Sequence, residues 1–551
     1  MDGHERLHLA HDGRRKHPLV DRFNVGKVCL TAAALPYGEV DVGPTRAHVM
    51  GWSTPLLQAT PGDAVCGGNP RQVPGVCWSR CEATAMPKPA LHLWNADLAK
   101  YLGGLEPDPR LWVGGRLMEG MQPHAHRYGG HQFGNWAHQL GDGRALTLGH
   151  VDAASGPIEV QLKGAGRTPY SRRGDGRAVL RSSLREYLCS EAMHHLGVPT
   201  SRALSLCTTG EDVRRDMFYD GRPAMEPGAI VARTAPSFVR FGSFQMLAAD
   251  GDADALRALM QYTVTTHEPH HQVSDDAGIV AWLTEVAERS ARMVCGWMRH
   301  GFVHGVMNTD NMSIHGLTID YGPFGWLEAH DPSWTPNTTD LPGRRYRYAA
   351  QPDVVGWNLA RLLEAVAMVM DDPEPLHGVL DAYREAYRNA RQQAWVERLG
   401  LDAWTEADEA LVRDLQHVMH ASEVDHVPML RHMAEGLTTA EALQEAGRIY
   451  AVEPDLASIN AWLGRWLERV GGTPDDATML ATVPAFTPRN WVLQLAIDEA
   501  ERGDWTKAEA LAARLMRPFE RLPEDDGAWW SGPRPEWAMT RPGCSMLSCS
   551  S

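Results

Sequence analysis

One stretch restricts this chain more than any other: His304-Gly-Val-Met-Asn-Thr-Asp310-Asn311, followed nine residues after Asn311 by Asp320-Tyr-Gly. An amide side chain and a carboxylate, each on a short polar segment, supply the oxygen ligands that a hard divalent cation prefers. A further carboxylate, Asp310, stands next to the amide. A loop can hold such groups together only when packed elements on both sides fix it. The chain has 551 residues, more than one ordinary domain, which predicts two or three lobes. With 43% hydrophobic and 22% charged residues it has the material for a packed core and is not of the disordered type. A net charge of −16 argues against nonspecific nucleic-acid or membrane binding, and leaves room for a local basic pocket. No run of about 18 apolar residues marks a membrane span. The first twenty residues lack the apolar segment of a secretory signal. Nine scattered cysteines fit a reducing compartment. Together these features predict a soluble, cytoplasmic protein.

The spacing matches the catalytic loop of protein kinases, H-R-D-x-x-x-x-N followed by D-F-G. With the pattern laid on His304, Asn311 and Asp320 fall on the two metal-binding positions, and Val306 on the catalytic aspartate. Valine cannot accept a proton. The pattern therefore keeps the metal ligands and drops the usual base.

Upstream, residues 1–80 show little periodicity and read as an N-terminal extension. Cys77 and Cys81 lack a second cysteine pair at a zinc-site spacing and read as ordinary thiols. Asn95 opens a short helix. The segment Tyr128–Val151 is rich in glycine, and Gly141-Asp-Gly143-Arg144 can either bring backbone N–H groups against phosphates or form a tight hairpin. Ile158–Lys163 alternates strictly, so it reads as a half-buried strand ending in a lysine, either at the place where kinases hold phosphates or solvated on an exposed strand face. A loop with Arg167, Arg172, Arg173, Asp175, Gly176 and Arg177 follows, then a helix over about 179–195. Glu186 lies on that helix, either as partner of Lys163 or as part of a Ser183–Glu186 capping box. Arg233 and Arg240 are seven apart, an odd spacing that puts them on opposite faces of one strand; they read either as surface charge or, if Pro236 bends the path, as two groups reaching one phosphate. Beyond residue 251 the pattern is mostly helical. The fold class is α+β, with a β-rich N-lobe over 81–250, a helical C-lobe over 251–520, and a tail over 521–551.

Five stretches carry a resemblance to a known family: YGGHQFGNWAHQLGDGRALTLG, EVQLKGAGRTPYSRRGDGRAVLRSSLREYLCSEAMHHLGVPTSRAL, VARTAPSFVRFGSFQ, HGFVHGVMNTDNMSIHGLTIDYGPFGWLE and the C-terminal SCSS. From about residue 80 onward the chain resembles the selenoprotein O family, the YdiU-type proteins of bacteria. The resemblance implies a protein-kinase-like two-lobed fold with family-specific extensions. It implies a Mg²⁺-dependent enzyme, with Mn²⁺ as the alternative ion, that binds ATP in a flipped orientation. AMP would pass to Ser, Thr or Tyr hydroxyls of proteins, the chain itself included, with no nucleic-acid or membrane partner.

By the same resemblance Lys163 holds phosphates with Glu186 orienting it. Gly141, Gly143, Arg144, Asp175 and Gly176 line the nucleotide, and Arg233 and Arg240 contact phosphate. Asn311 and Asp320 hold the metal, and Asp310 matches the proposed proton acceptor. Some relatives carry selenocysteine where this chain has Cys549, a candidate redox group, with Cys295 one candidate partner. Eukaryotic relatives are mitochondrial, the alternative compartment. The competing readings are a γ-phosphoryl kinase using Asp310 and a non-catalytic nucleotide-binding pseudokinase.

Overall fold

The computed structural model describes residues 51–217, 221–525 and 527–548. A β-rich part comes first and a helical part follows, so the architecture is mixed α+β. Nine strands form the main sheet. Its spatial order is Gly62–Asp63, Trp78–Arg80, His124–His126, Ala145–Ala153, Gly156–Lys163, Ala224–Ala235, Arg202–Arg215 and Ala90–Trp94, with Trp52–Ser53 paired to Ala145–Ala153 off that path. Residues 52–80 thus contribute strands. The pairings around the site are antiparallel: Lys163 stands opposite Ala145 on one side and Val231 on the other.

Alternation splits the Lys163 strand as expected, but both faces are covered. Val160 and Leu162 enter an apolar cluster with Leu146, Leu148, Ile230 and Trp112. Glu159, Gln161 and Lys163 on the other face are also buried, so the strand is not half-buried. The reason is that this polar face is packed over and its groups are paired internally. Glu159 receives N–H and O–H donors, and Gln161 and Lys163 meet charged partners. A buried polar side chain is tolerated once its hydrogen bonds are made.

The helix Leu180–His195 packs on the Arg202–Arg215 and Ala224–Ala235 strands. Asn95 caps the helix Ala96–Tyr101 by accepting from Leu98 N–H at 3.0 Å. The longest helix, Asp276–His300, starts at Asp275, whose carboxylate accepts from Gly278 N–H at 2.8 Å, and stops at left-handed Gly301. Its apolar stripe includes Trp282, Leu283, Val286 and Val294, all fully buried. Burying Leu283 or Val286 contributes roughly 1.5–3 kcal/mol each. This helix packs on Leu376–Leu399 and Gln351–Val366. It delivers the chain through the short strand Phe302–Val303 into His304. A separate helical cluster, with Trp462 and Trp466 stacked 6.4 Å apart, lies further along. Among the described residues no helix is long and apolar enough to cross a membrane.

Candidate nucleotide site

The strand ending at Lys163, the helix carrying Glu186 and the loop from His304 converge on one cavity of about 720 Å³. The sheet delivers Lys163 because its side chain lies on the polar face, two residues from Gln161. Lys163 Nζ is 2.6 Å from Glu186 Oε2 and 3.4 Å from Asp320 Oδ1. The ion pair is therefore the one formed. Glu186 lies within the helix, whose N-cap is Val179, and makes no capping box. Burial pushes the Lys163 ammonium down, and Glu186 and Asp320 counter part of that.

Arg233 and Arg240 meet at the same carboxylate. Arg233 Nη1 donates to Asp320 Oδ1 at 2.6 Å and to Glu186 Oε1 at 2.9 Å. Its Nε and Nη2 donate to Gln161 Oε1 at 3.0 and 2.6 Å. The strand ends at Ala235, Pro236 turns the path, and Arg240 becomes the N-cap of the helix Phe241–Asp250. Arg240 Nη1 donates to Asp320 Oδ2 and, at 2.7 Å, to the Asp310 carbonyl oxygen. Both guanidinium groups also lie over aromatic rings, Arg233 on Phe238 at 4.8 Å and Arg240 on Tyr128 at 4.6 Å. Asp320 itself has φ 58, left-handed backbone that aspartate tolerates better than most residues. Burial alone would raise its carboxyl, but Arg240, Arg233 and Lys163 outweigh that and hold it well below the usual range.

Asp310 sits on the 3₁₀ turn Thr309–Asn311, 6% exposed. Burial pushes its carboxyl up to about 6. Gln132 Nε2 donates to Oδ2 at 3.1 Å, and the buried Oδ1 has no hydrogen-bond partner. Gly130 packs against Oδ1 so closely that a Cβ there would come within 2.3 Å. Gly130 and Gln132 flank the start of a two-stranded ribbon, His131–Gln132 with Asn135–Trp136, that clips the loop. His131 N–H donates to Thr309 Oγ1 at 2.7 Å, and Phe133 N–H to Tyr346 Oη at 2.9 Å. His304 supports the loop from below: its Nε2–H donates to the Ile319 carbonyl at 2.9 Å and its ring stacks on Trp297.

Asn311 Nδ2 donates to the Val306 carbonyl at 2.9 Å, so the amide oxygen is the atom that could face a metal ion. Asn311 and Asp320 both line the cavity, and an amide oxygen with a carboxylate is a donor set that fits a hard divalent ion. Val306 forms wall in the same cavity. Gly141, Gly143, Arg144, Asp175 and Gly176 line it too. Gly141 has φ 79, and a Cβ there would meet the Tyr170 ring at 2.4 Å, so the turn requires glycine. Asp175 is bridged by Arg215 at 2.7 and 2.8 Å. Arg144, Arg172 and Arg173 line the cavity and make no ion pair among the described residues.

Four contributors escaped sequence reasoning. Gln132 touches Asp310. Gln161 orients Arg233. Asp142 lies 3.6 Å from Arg240, and Arg215 holds Asp175. Gln161 carried a signal, since it shares the Lys163 face, and so did Asp142, inside the Gly-Asp-Gly-Arg turn. Cys549 lies outside the described residues. Its suggested partner Cys295 is buried, and burial pushes that thiol up to about 12. Among the described residues two His/Glu groups stand close enough to hold a metal, His124 with His126 and Glu159, and His270 with His271 and Glu285. Neither includes Asn311 or Asp320.

Lys163 with its partner Glu186, and Asn311 with Asp320, come together at one basic cavity, an arrangement able to hold a polyanion beside a divalent ion. The family described as Protein adenylyltransferase SelO matches residues 75–516. A protein nucleotidyltransferase YdiU of Aromatoleum aromaticum is 46% identical over 519 residues, covering 90% of this chain and 98% of the relative. Its counterpart from an Azoarcus species is 48% identical over 516 residues, with the same coverage. That of Xanthomonas campestris is also 48% identical, over 515 residues. The chain belongs to the SelO/YdiU family and is a nucleotidyltransferase.

Proposed function

We propose that the chain transfers AMP from ATP to hydroxyl side chains of proteins, in a kinase-like cleft between a β-rich N-lobe and a helical C-lobe. The observation that carries this reading is the exchange of bases. Val306 stands where a kinase has its aspartate, while Asp310 supplies a buried carboxylate held near neutrality. Lys163, Arg233 and Arg240 gather cationic charge at one end of the cavity, and Arg144, Arg172 and Arg173 add more. That distribution supports a flipped ATP whose β- and γ-phosphates meet the arginine loop and whose α-phosphorus faces Asp310.

In this reading the acceptor hydroxyl oxygen bonds to the α-phosphorus. Its proton passes to the Asp310 carboxylate, and the bond to the β-phosphate oxygen breaks, releasing pyrophosphate. Preorganised arginines stabilise the charge that develops on the leaving group, which is where phosphoryl-type catalysis gains most. Asn311 and Asp320 would hold Mg²⁺, which supplies further charge neutralisation at the phosphates. Glu186 and Gln161 keep Lys163 and Arg233 in place.

The test uses full-length chain, Mg²⁺, an acceptor protein, and ATP labelled at the α- or the γ-phosphate. Label on protein from the α-position, with pyrophosphate released, is expected. Label from the γ-position alone would make the chain a kinase that uses Asp310 as base. ATP binding without transfer of either label to any of a panel of acceptors would favour a pseudokinase.

A further inference from the structure

Behind the nucleotide cavity, on the polar face of the sheet, lies a group of side chains that the proposed reaction does not use. His124 and His126 alternate onto one face of their strand, and Glu159 comes from Gly156–Lys163, with Ala145–Ala153 running between them. Their exposures are 0%, 2% and 0%. His126 Nε2 is 2.9 Å from Glu159 Oε1, and the ligand atoms of all three residues lie within 4.8 Å of one another.

The decisive atom is His124 Nε2. His124 Nδ1 is 2.8 Å from the Gln122 carbonyl oxygen. A carbonyl only accepts, so Nδ1 carries the hydrogen and Nε2 presents a bare lone pair. Burial keeps the ring neutral, with its pKa lowered to about 3. Yet Nε2 is buried with no hydrogen-bond partner. Leaving such a buried acceptor unsatisfied costs stability. A ring nitrogen bared by a hydrogen bond from its twin to a backbone carbonyl is how histidines are set up to ligate metals. Glu159 is fixed in the same manner, accepting from Thr147 Oγ1–H at 2.5 Å and from Phe238 N–H at 2.9 Å.

We propose that His124, His126 and Glu159 form a buried site for a divalent transition-metal ion of the zinc type. Two imidazoles and one carboxylate match zinc and fit poorly with magnesium, which takes oxygen ligands. Binding forms bonds from the ion to His124 Nε2, His126 Nε2 and a Glu159 oxygen. A proton carried on His126 Nε2 leaves to solvent as the bond from that nitrogen to the ion forms. The ion would tie the outer strand to the Lys163 strand. It would also steady the cavity floor, because His126 N–H donates to Asp142 Oδ2 at 3.1 Å and Gln161 Nε2 donates to the same oxygen at 3.0 Å.

The test is metal content of full-length chain made with zinc in the medium and purified without chelator. About one zinc per chain is expected. Asp320→Asn, altered at the Asn311–Asp320 pair, should retain it, while His124→Ala and Glu159→Gln should lose at least about tenfold in occupancy. A second readout needs no variant. Stripped wild-type chain loaded with Co²⁺ should develop visible ligand-field absorption that Zn²⁺ abolishes. Wild-type chain that neither retains zinc nor gives the cobalt spectrum leaves the cluster as an imidazolium–carboxylate pair only and overturns the proposal. So does undiminished zinc in both cluster variants.

Discussion

Two aspartates ten residues apart, Asp310 and Asp320, occupy the same cavity and behave in opposite ways. Asp320 faces three cations, and its carboxyl is held well below the ordinary range. Asp310 faces Gly130 and the neutral Gln132, and burial pushes its carboxyl up to about 6. The lesson is that one residue type takes two roles when its surroundings differ. An always-ionised carboxylate suits a cation, and one that titrates near neutrality suits proton transfer.

The largest expected effect comes from removing the ionised member. On the proposed reading, Asp320→Asn should lower AMP transfer by about a thousandfold or more, because the proposed metal ligand goes and three cations lose their counter-charge. Incorporation of α-labelled ATP measures it, and near wild-type transfer would end the assignment. Asp310→Asn should lower kcat by roughly 10²–10⁴-fold while ATP affinity, read by calorimetry, changes little. In the wild-type chain kcat should climb as pH rises through about 6, as Asp310 loses its proton. That limb should be missing from the residual activity of the variant.

Stability should separate the pair by sign. Folding raises the Asp310 pKa, so the native state holds that proton more tightly, and stability is lost as pH rises through about 6. Asp310→Asn removes that loss and should raise Tm near pH 7.5 by about 1–3 °C, with a smaller gain near pH 4.5. Folding depresses Asp320, whose contribution is present at neutral pH and lost on acidification. Asp320→Asn should therefore lower Tm at pH 7.5. Thermal scans of both variants at the two pH values check this, and shifts of the same sign would break the contrast. The smallest effect is that of Gln132→Ala. Losing its hydrogen bond to Oδ2 should move the acid limb of the pH–rate profile upward and cost about threefold to tenfold in kcat.

Much of the candidate site was legible because its parts keep kinase order along the chain. Lys163, Glu186, Asn311 and Asp320 could be picked out by spacing, and they do converge. Helix starts were legible where a cap is local, as at Asn95. The burial of Glu159 and Gln161 was not, because alternation shows which residues share a face and says nothing of what covers it. Gln132 was invisible for a similar reason, since it meets Asp310 across 178 residues of chain.

The sequence by itself determined the inventory of the site and its order: a lysine strand, a glutamate helix, two arginines around a proline, and an Asn–Asp pair with valine where a base is usual. Those are local choices, written in residue type and spacing. Tertiary structure decided which carboxyl is pushed up and which is held down, where both arginines point, and that His124 presents a bare nitrogen to His126 and Glu159. Charge interactions depend on distance and on the exclusion of water, and both are fixed only when distant segments pack together.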